Sequence, residues 1–90
     1  ATVLVEDDAV RVTRFEFVPG SETGWHRHAM DNVITAITDC AMRLEEPGGG
    51  ARDVLVPAGE AYKRAAGVEH NVSNAGTLPM CFIEIELKPR

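Results

Sequence analysis

The chain is 90 residues long, enough for one domain (1–90) with no room for a second core. It carries 14 acidic against 9 basic residues and a formal net charge of -5. The basic residues are scattered, with only Lys63 and Arg64 adjacent, so the basic stripe of a nucleic-acid surface is excluded. No apolar run approaches the roughly 20 residues of a membrane span, so no membrane partner is expected.

In chain order the pattern is one of short strands between turn residues. Thr2–Glu6 closes at Asp7-Asp8. Residues 10–18 follow, with Val10 and Val12 on one parity and Phe15 and Phe17 on the other, which predicts a bulge or twist near Thr13-Arg14. Pro19-Gly20 breaks that strand, and residues 24–28, residues 32–38 and Cys40–Glu45 are the next candidates. Pro47-Gly48-Gly49-Gly50 is a loop, with no lysine and no following helix that would make it a phosphate cradle. Residues 52–56, Ala61–Arg64 and residues 70–73 are separated by Pro57-Ala58-Gly59 and Ala65-Ala66-Gly67. Asn74-Ala75-Gly76 then turns into Met80–Leu87, where Ile83, Ile85 and Leu87 alternate with Glu84 and Glu86 in the period of a half-buried strand. No helical period is sustained, so the reading is all-β, a sandwich or barrel.

The 3 histidines are the most pointed feature. They fall as His26-Arg27-His28 and, far along the chain, His70. Alternation along a strand puts His26 and His28 on one face, and a third imidazole from a distant strand completes one side of a coordination sphere. The other positions stay open for water or substrate. Cys40 and Cys81 are too few for a disulfide framework. Cys81 reads as a small core residue and Cys40 as a turn-edge thiol, both free in a reducing cytoplasm.

These turns and histidines together resemble the cupin superfamily, small jelly-roll barrels defined by two spaced motifs. Gly20, His26 and His28 match the first motif in spacing, with Asn32 where the family carries Glu and Asp39 in the place of its last Gly. Gly59, Gly67, His70 and Asn74 match the second, with Ala65 in the place of Pro. More finely, the stretches Gly67-Val68-Glu69-His70-Asn71-Val72 and Glu84-Ile85-Glu86-Leu87-Lys88 resemble small single-domain cupins linked to β-alanine degradation.

The resemblance implies a double-stranded β-helix (jelly-roll) barrel and one divalent transition metal on His26, His28 and His70. Without the motif Glu the ligand set is neutral, which suits iron, nickel, copper or zinc better than manganese and favours a small anionic metabolite as substrate. Three-histidine iron cupins include thiol dioxygenases, so an oxygenase-like reaction leads, while zinc in the same cage would acidify a water. The alternative is a non-catalytic ligand-binding or metal-sensing module on a barrel that has lost its metal. Tyr62 and Arg64 share a strand parity, which makes Tyr62 the candidate catalytic hydroxyl and Arg64 a carboxylate clamp. The competing, preferred reading leaves Lys63 and Arg64 as solvated edge residues. Asn32 is expected to point inward and lean on a bound water or substrate, with Asp31 turned away. Trp25, Arg27 and Glu69 belong to the outer face, and Met30, Met80 and Phe82 to core or pocket wall. Both the resemblance and the small size of the chain lead to the expectation of a homodimer.

Overall fold

Nine strands carry the described residues, 1–89, of the computed structural model. They are β1 (Thr2–Glu6), β2 (Val10–Phe17), β3 (His26–Arg27), β4 (Asp31–Ala36), β5 (Cys40–Glu45), β6 (Ala51–Val56), β7 (Ala61–Arg64), β8 (Glu69–Asn74) and β9 (Met80–Leu87). No helix occurs among the described residues, and none is therefore long and apolar enough to cross a membrane. The strands form a five-stranded sheet in the order β1-β2-β9-β4-β7 and a four-stranded sheet in the order β3-β8-β5-β6. Neighbours pair antiparallel throughout. The fold is the all-β double-stranded β-helix that the two motifs led us to expect.

Side-chain alternation fills the interior from both sheets. Cys40, Met42 and Leu44 on β5, Val56 on β6 and Val72 on β8 face Ile34 and Ala36 on β4 and Met80 and Phe82 on β9, all buried. Phe82 stacks against Phe15 with ring centroids 5.2 Å apart, which closes the core beneath β2. Asn74, 3 % exposed, ties one end of the barrel together. Its Nδ2 donates to the carbonyls of Phe17 (3.0 Å) and Leu78 (2.9 Å), and its Oδ1 accepts from Gly76 N (2.9 Å). The second-motif Asn is thus a structural clamp for buried backbone groups.

Two expectations are corrected. The bulge lies in β1, between Val3 and Val5, opposite Thr13 and Val12, while β2 pairs with β9 without interruption from Val10↔Leu87 to Phe17↔Met80. Arg11, Thr13, Phe15 and Phe17 share the inward parity and Val10 and Val12 point outward, so β2 needs no break. Cys40 is no turn-edge thiol: it is 1 % exposed, and its Sγ–H lies 3.3 Å from the Thr38 carbonyl. For β9, where alternation left the choice of face open, the structure sets the alternating acids inward and the isoleucines outward. Glu84 and Glu86 pair with Thr13 and Arg11, whereas Ile83 and Ile85 pair with the outward Arg14 and Val12.

The inner face of the five-stranded sheet is therefore graded row by row. Arg11, Glu86, Asn32 and Arg64 form one transverse row across β2, β9, β4 and β7. Thr13, Glu84, Ile34 and Tyr62 form the next. Beyond them come Phe15, Phe82 and Ala36, and then Phe17 and Met80.

Candidate metal centre

His26 on β3 stands directly opposite His70 on β8, so pairing of these two strands sets both imidazoles on one face. His28 lies just beyond β3, and its backbone is held at both ends: His28 N donates to the Val68 carbonyl (2.9 Å) and Gly67 N to the His28 carbonyl (2.7 Å). Gly67 adopts φ +93°, a conformation that side chains disfavour, so the glycine of the second motif fixes the histidine segment of the first.

The three rings meet edge to face, with centroids 4.7, 4.8 and 4.9 Å apart. One ligand nitrogen from each lies within 4.8 Å of the other two. His28 Nε2 and His70 Nε2 are 2.9 Å apart and share a hydrogen bond. His26 Nδ1 sits 2.9 Å from the Gly24 carbonyl, which can only accept, so Nδ1 donates to it and Nε2 is the nitrogen left to meet a metal. His28 and His70 are 9 % and 6 % exposed. Burial, reinforced by the charge of His26, pushes both below the usual histidine range, His70 down to about 4. Neutral, preoriented imidazoles are what a transition metal requires.

The donor set fits a divalent metal with open positions. Asn32, 0 % exposed, occupies the place of the motif Glu. Its Nδ2 reaches the Met30 carbonyl at 3.4 Å, while Oδ1 is buried without a partner. Asp31 is turned away as expected, its carboxylate accepting from Ala66 N at 2.7 Å.

A cavity of about 300 Å³ opens in front of the imidazoles, and Asn32, Tyr62 and Arg64 all line it. Lys63 is exposed, but Arg64 is half-buried, its Nε enclosed without a partner and its guanidinium 5.2 Å from the Tyr62 ring centroid. Burial pushes the Tyr62 hydroxyl up, which keeps it a proton donor. Met30 and Phe82 are cavity wall, while Met80 is core. Trp25 is 54 % exposed and Glu69 is exposed. Arg27 is exposed but reaches the cavity rim.

Sequence reasoning missed Glu84 and Glu86, which line the same cavity. Arg11 grips Glu86 with two hydrogen bonds, Nε to Oε1 at 2.9 Å and Nη2 to Oε2 at 3.3 Å. Burial, then the charge of Glu86 and a hydrogen bond to it, pushes Glu84 up to about 7. The signal available in the sequence was Arg11 itself, a cation at an inward position of β2 that calls for an acid across the sheet.

Comparison with known proteins places this geometry. The family model of the cupin domain matches residues 13–86. The chain is 49 % identical over 87 residues to the β-alanine degradation protein BauB of Pseudomonas aeruginosa, covering 97 % of this chain and 90 % of that one. A cupin domain from Bordetella pertussis superposes with a TM-score of 0.92 at 43 % identity, over 98 % of this chain and 91 % of that one. A Thermus thermophilus protein shares the fold, with a TM-score of 0.73 at 21 % identity over 98 % of this chain and 82 % of its own.

Proposed function

The chain belongs to the cupin domain family, and from that premise we propose that it is a small metal-binding cupin acting on a small anionic metabolite. The observation that carries the reading is the convergence of His26, His28 and His70 on a cavity that also holds Arg64, whose buried Nε is unpartnered. A metal on the three imidazoles would be iron, nickel, copper or zinc, and would supply open positions for oxygenase-like chemistry, the leading class. Arg64 anchors a carboxylate of the substrate, and Asn32 Oδ1 accepts from an N–H or O–H group elsewhere on the same molecule. Tyr62, kept protonated, donates to the bound molecule and serves as the candidate catalytic hydroxyl. The relative's link to β-alanine degradation puts β-alanine, itself a small carboxylate, first in the substrate screen. The working state in this proposal is a cytoplasmic homodimer.

A second reading, a ligand-binding or metal-sensing module, draws support from the apolar half of the cavity: Phe15, Ile34, Met42, Val72 and Phe82 can hold a ligand without reacting with it. Metal content by mass spectrometry separates the cases, on the wild type and on His70→Ala. Near-stoichiometric metal in the wild type, at least ten-fold depleted in the variant, is the expected result. A wild type that is empty and refuses added iron, nickel, copper and zinc overturns the metal-dependent reading.

A further inference from the structure

Strand β9 brings two carboxyl groups into the cavity, Glu84 and Glu86, two positions apart on one face. Arg11 balances and orients Glu86. Glu84 forms no ion pair of its own among the described residues, and the Arg11 charge reaches it only from a distance. Two carboxyls side by side on one strand face in a partly desolvated space resist carrying two charges. Independently, the fully buried Asn32 beside Glu86 leaves Oδ1 unpartnered in the same cavity, and Arg64 across from Asn32 leaves Nε unpartnered. The unused Arg64 donor calls for an acceptor such as a carboxylate, and the unused Asn32 acceptor for an N–H or O–H group of a ligand or water beside it.

We infer that Glu84 and Glu86, braced by Arg11, form a proton-accepting pair, so that a small carboxylate entering the cavity toward Arg64 binds together with one proton that Glu84 takes from solvent. The inference rests on the proposed reading of the cavity as an anion site. The balance is simple: a carboxylate and a solvent proton become a carboxyl group, and no bond of the ligand breaks. Protonation removes a negative charge that repels the incoming anion and leaves a hydrogen-bond donor in its place.

The groups that surround the pair are Arg11 and Thr13 on β2, Asn32 and Ile34 on β4, Tyr62 and Arg64 on β7, and His26, Arg27, His28 and His70 across the cavity. Arginine stays charged through this range, Tyr62 is pushed up by burial, and His28 and His70 are pushed down. With zinc on the three imidazoles, the proton uptake that accompanies the anion is assigned to Glu84, pushed up to about 7. Linkage then makes anion affinity fall as pH rises above about 7, by about ten-fold in all for an upward move of one unit on binding.

The test is a carbon NMR titration of the zinc-loaded full chain labelled at its glutamate carboxyls, with and without saturating acetate. Glu84→Gln assigns the resonance, and Glu84→Asp is the alternative should the glutamine variant not fold. The expected result is a carboxyl that titrates near neutral pH and moves upward by about one unit when acetate binds. A Glu84 resonance in the ordinary carboxylate range overturns the inference. So does acetate binding, seen as Arg64 side-chain shifts, that leaves Glu84 unmoved. Acetate that shifts no resonance overturns the anion site along with it. Zinc uptake is read separately from the histidine resonances; a chain that refuses zinc fails the metal reading alone and is titrated metal-free.

Discussion

At the scale of single residues, the site brings two opposite pH responses into one cavity. Glu84 is pushed from its ordinary value near 4.5 up to about 7, so the stability its carboxyl form contributes is complete below about pH 4.5 and is lost as pH rises through 7. His70, pushed down to about 4, works the other way: in the metal-free chain its contribution is present above about pH 6.5 and is lost as pH falls toward 4. Comparing Glu84→Gln with the wild type cancels the histidine response. The variant is expected to gain on the wild type between pH 5 and pH 8, by on the order of 1–2 kcal/mol once the half-buried position is allowed its solvent screening. Urea unfolding of both metal-free proteins at the two pH values measures it, and an unchanged difference would refute a charged, strained Glu84 at alkaline pH.

At the scale of elements, the strand pattern was legible where turns and alternation are strong. Thr2–Glu6, Cys40–Glu45, Ala61–Arg64 and Met80–Leu87 lie where the sequence puts them. The histidine strand was expected over residues 24–28 and forms only at His26–Arg27, because pairing with β8 involves just His26↔His70 and Arg27↔Glu69. Parity alone puts His26 with His28 and Tyr62 with Arg64, the motifs add His70 and Asn32, and the preferred reading of Arg64 as a solvated edge residue fails because its Nε is enclosed at the cavity. The orientation of β9 does not follow from parity. Its alternation gives two faces without saying which is inside, and the apolar face suggests the wrong answer. What decides is the rest of the strand, since Met80 and Phe82 share parity with Glu84 and Glu86 and enter the core. Phe82, 6 % exposed, stacked on Phe15 and tilted against Phe17, therefore anchors the face that presents the acids. Phe82→Ala is expected to cost about 3–5 kcal/mol by chemical denaturation followed by circular dichroism. A loss below about 1 kcal/mol would mean that the strand is held in place by something else.

At the scale of the whole molecule, turning the acids inward leaves an apolar row on the outer face of the five-stranded sheet, flanked by Arg14, Glu16 and Lys63. Val5, Val12, Ile85 and Val33 line up across β1, β2, β9 and β4, and every residue of β1 is exposed. A long apolar edge strand invites pairing with another chain, and a second copy covering this face fits the size of a 90-residue chain. Sedimentation velocity is expected to show a wild-type dimer that Ile85→Lys converts to a folded monomer. A monomeric wild type, or a variant that stays dimeric, would refute this interface. Inside, the transverse rows run from Arg11, Glu86, Asn32 and Arg64 to the aromatic cluster of Phe15, Phe17 and Phe82. A molecule lying on that floor has a single comfortable heading, charged end to one side and hydrocarbon to the other. If the proposed reading holds, the same atom is then offered to the imidazoles at each visit, and selectivity between positional isomers is expected to be set by the floor on which they lie.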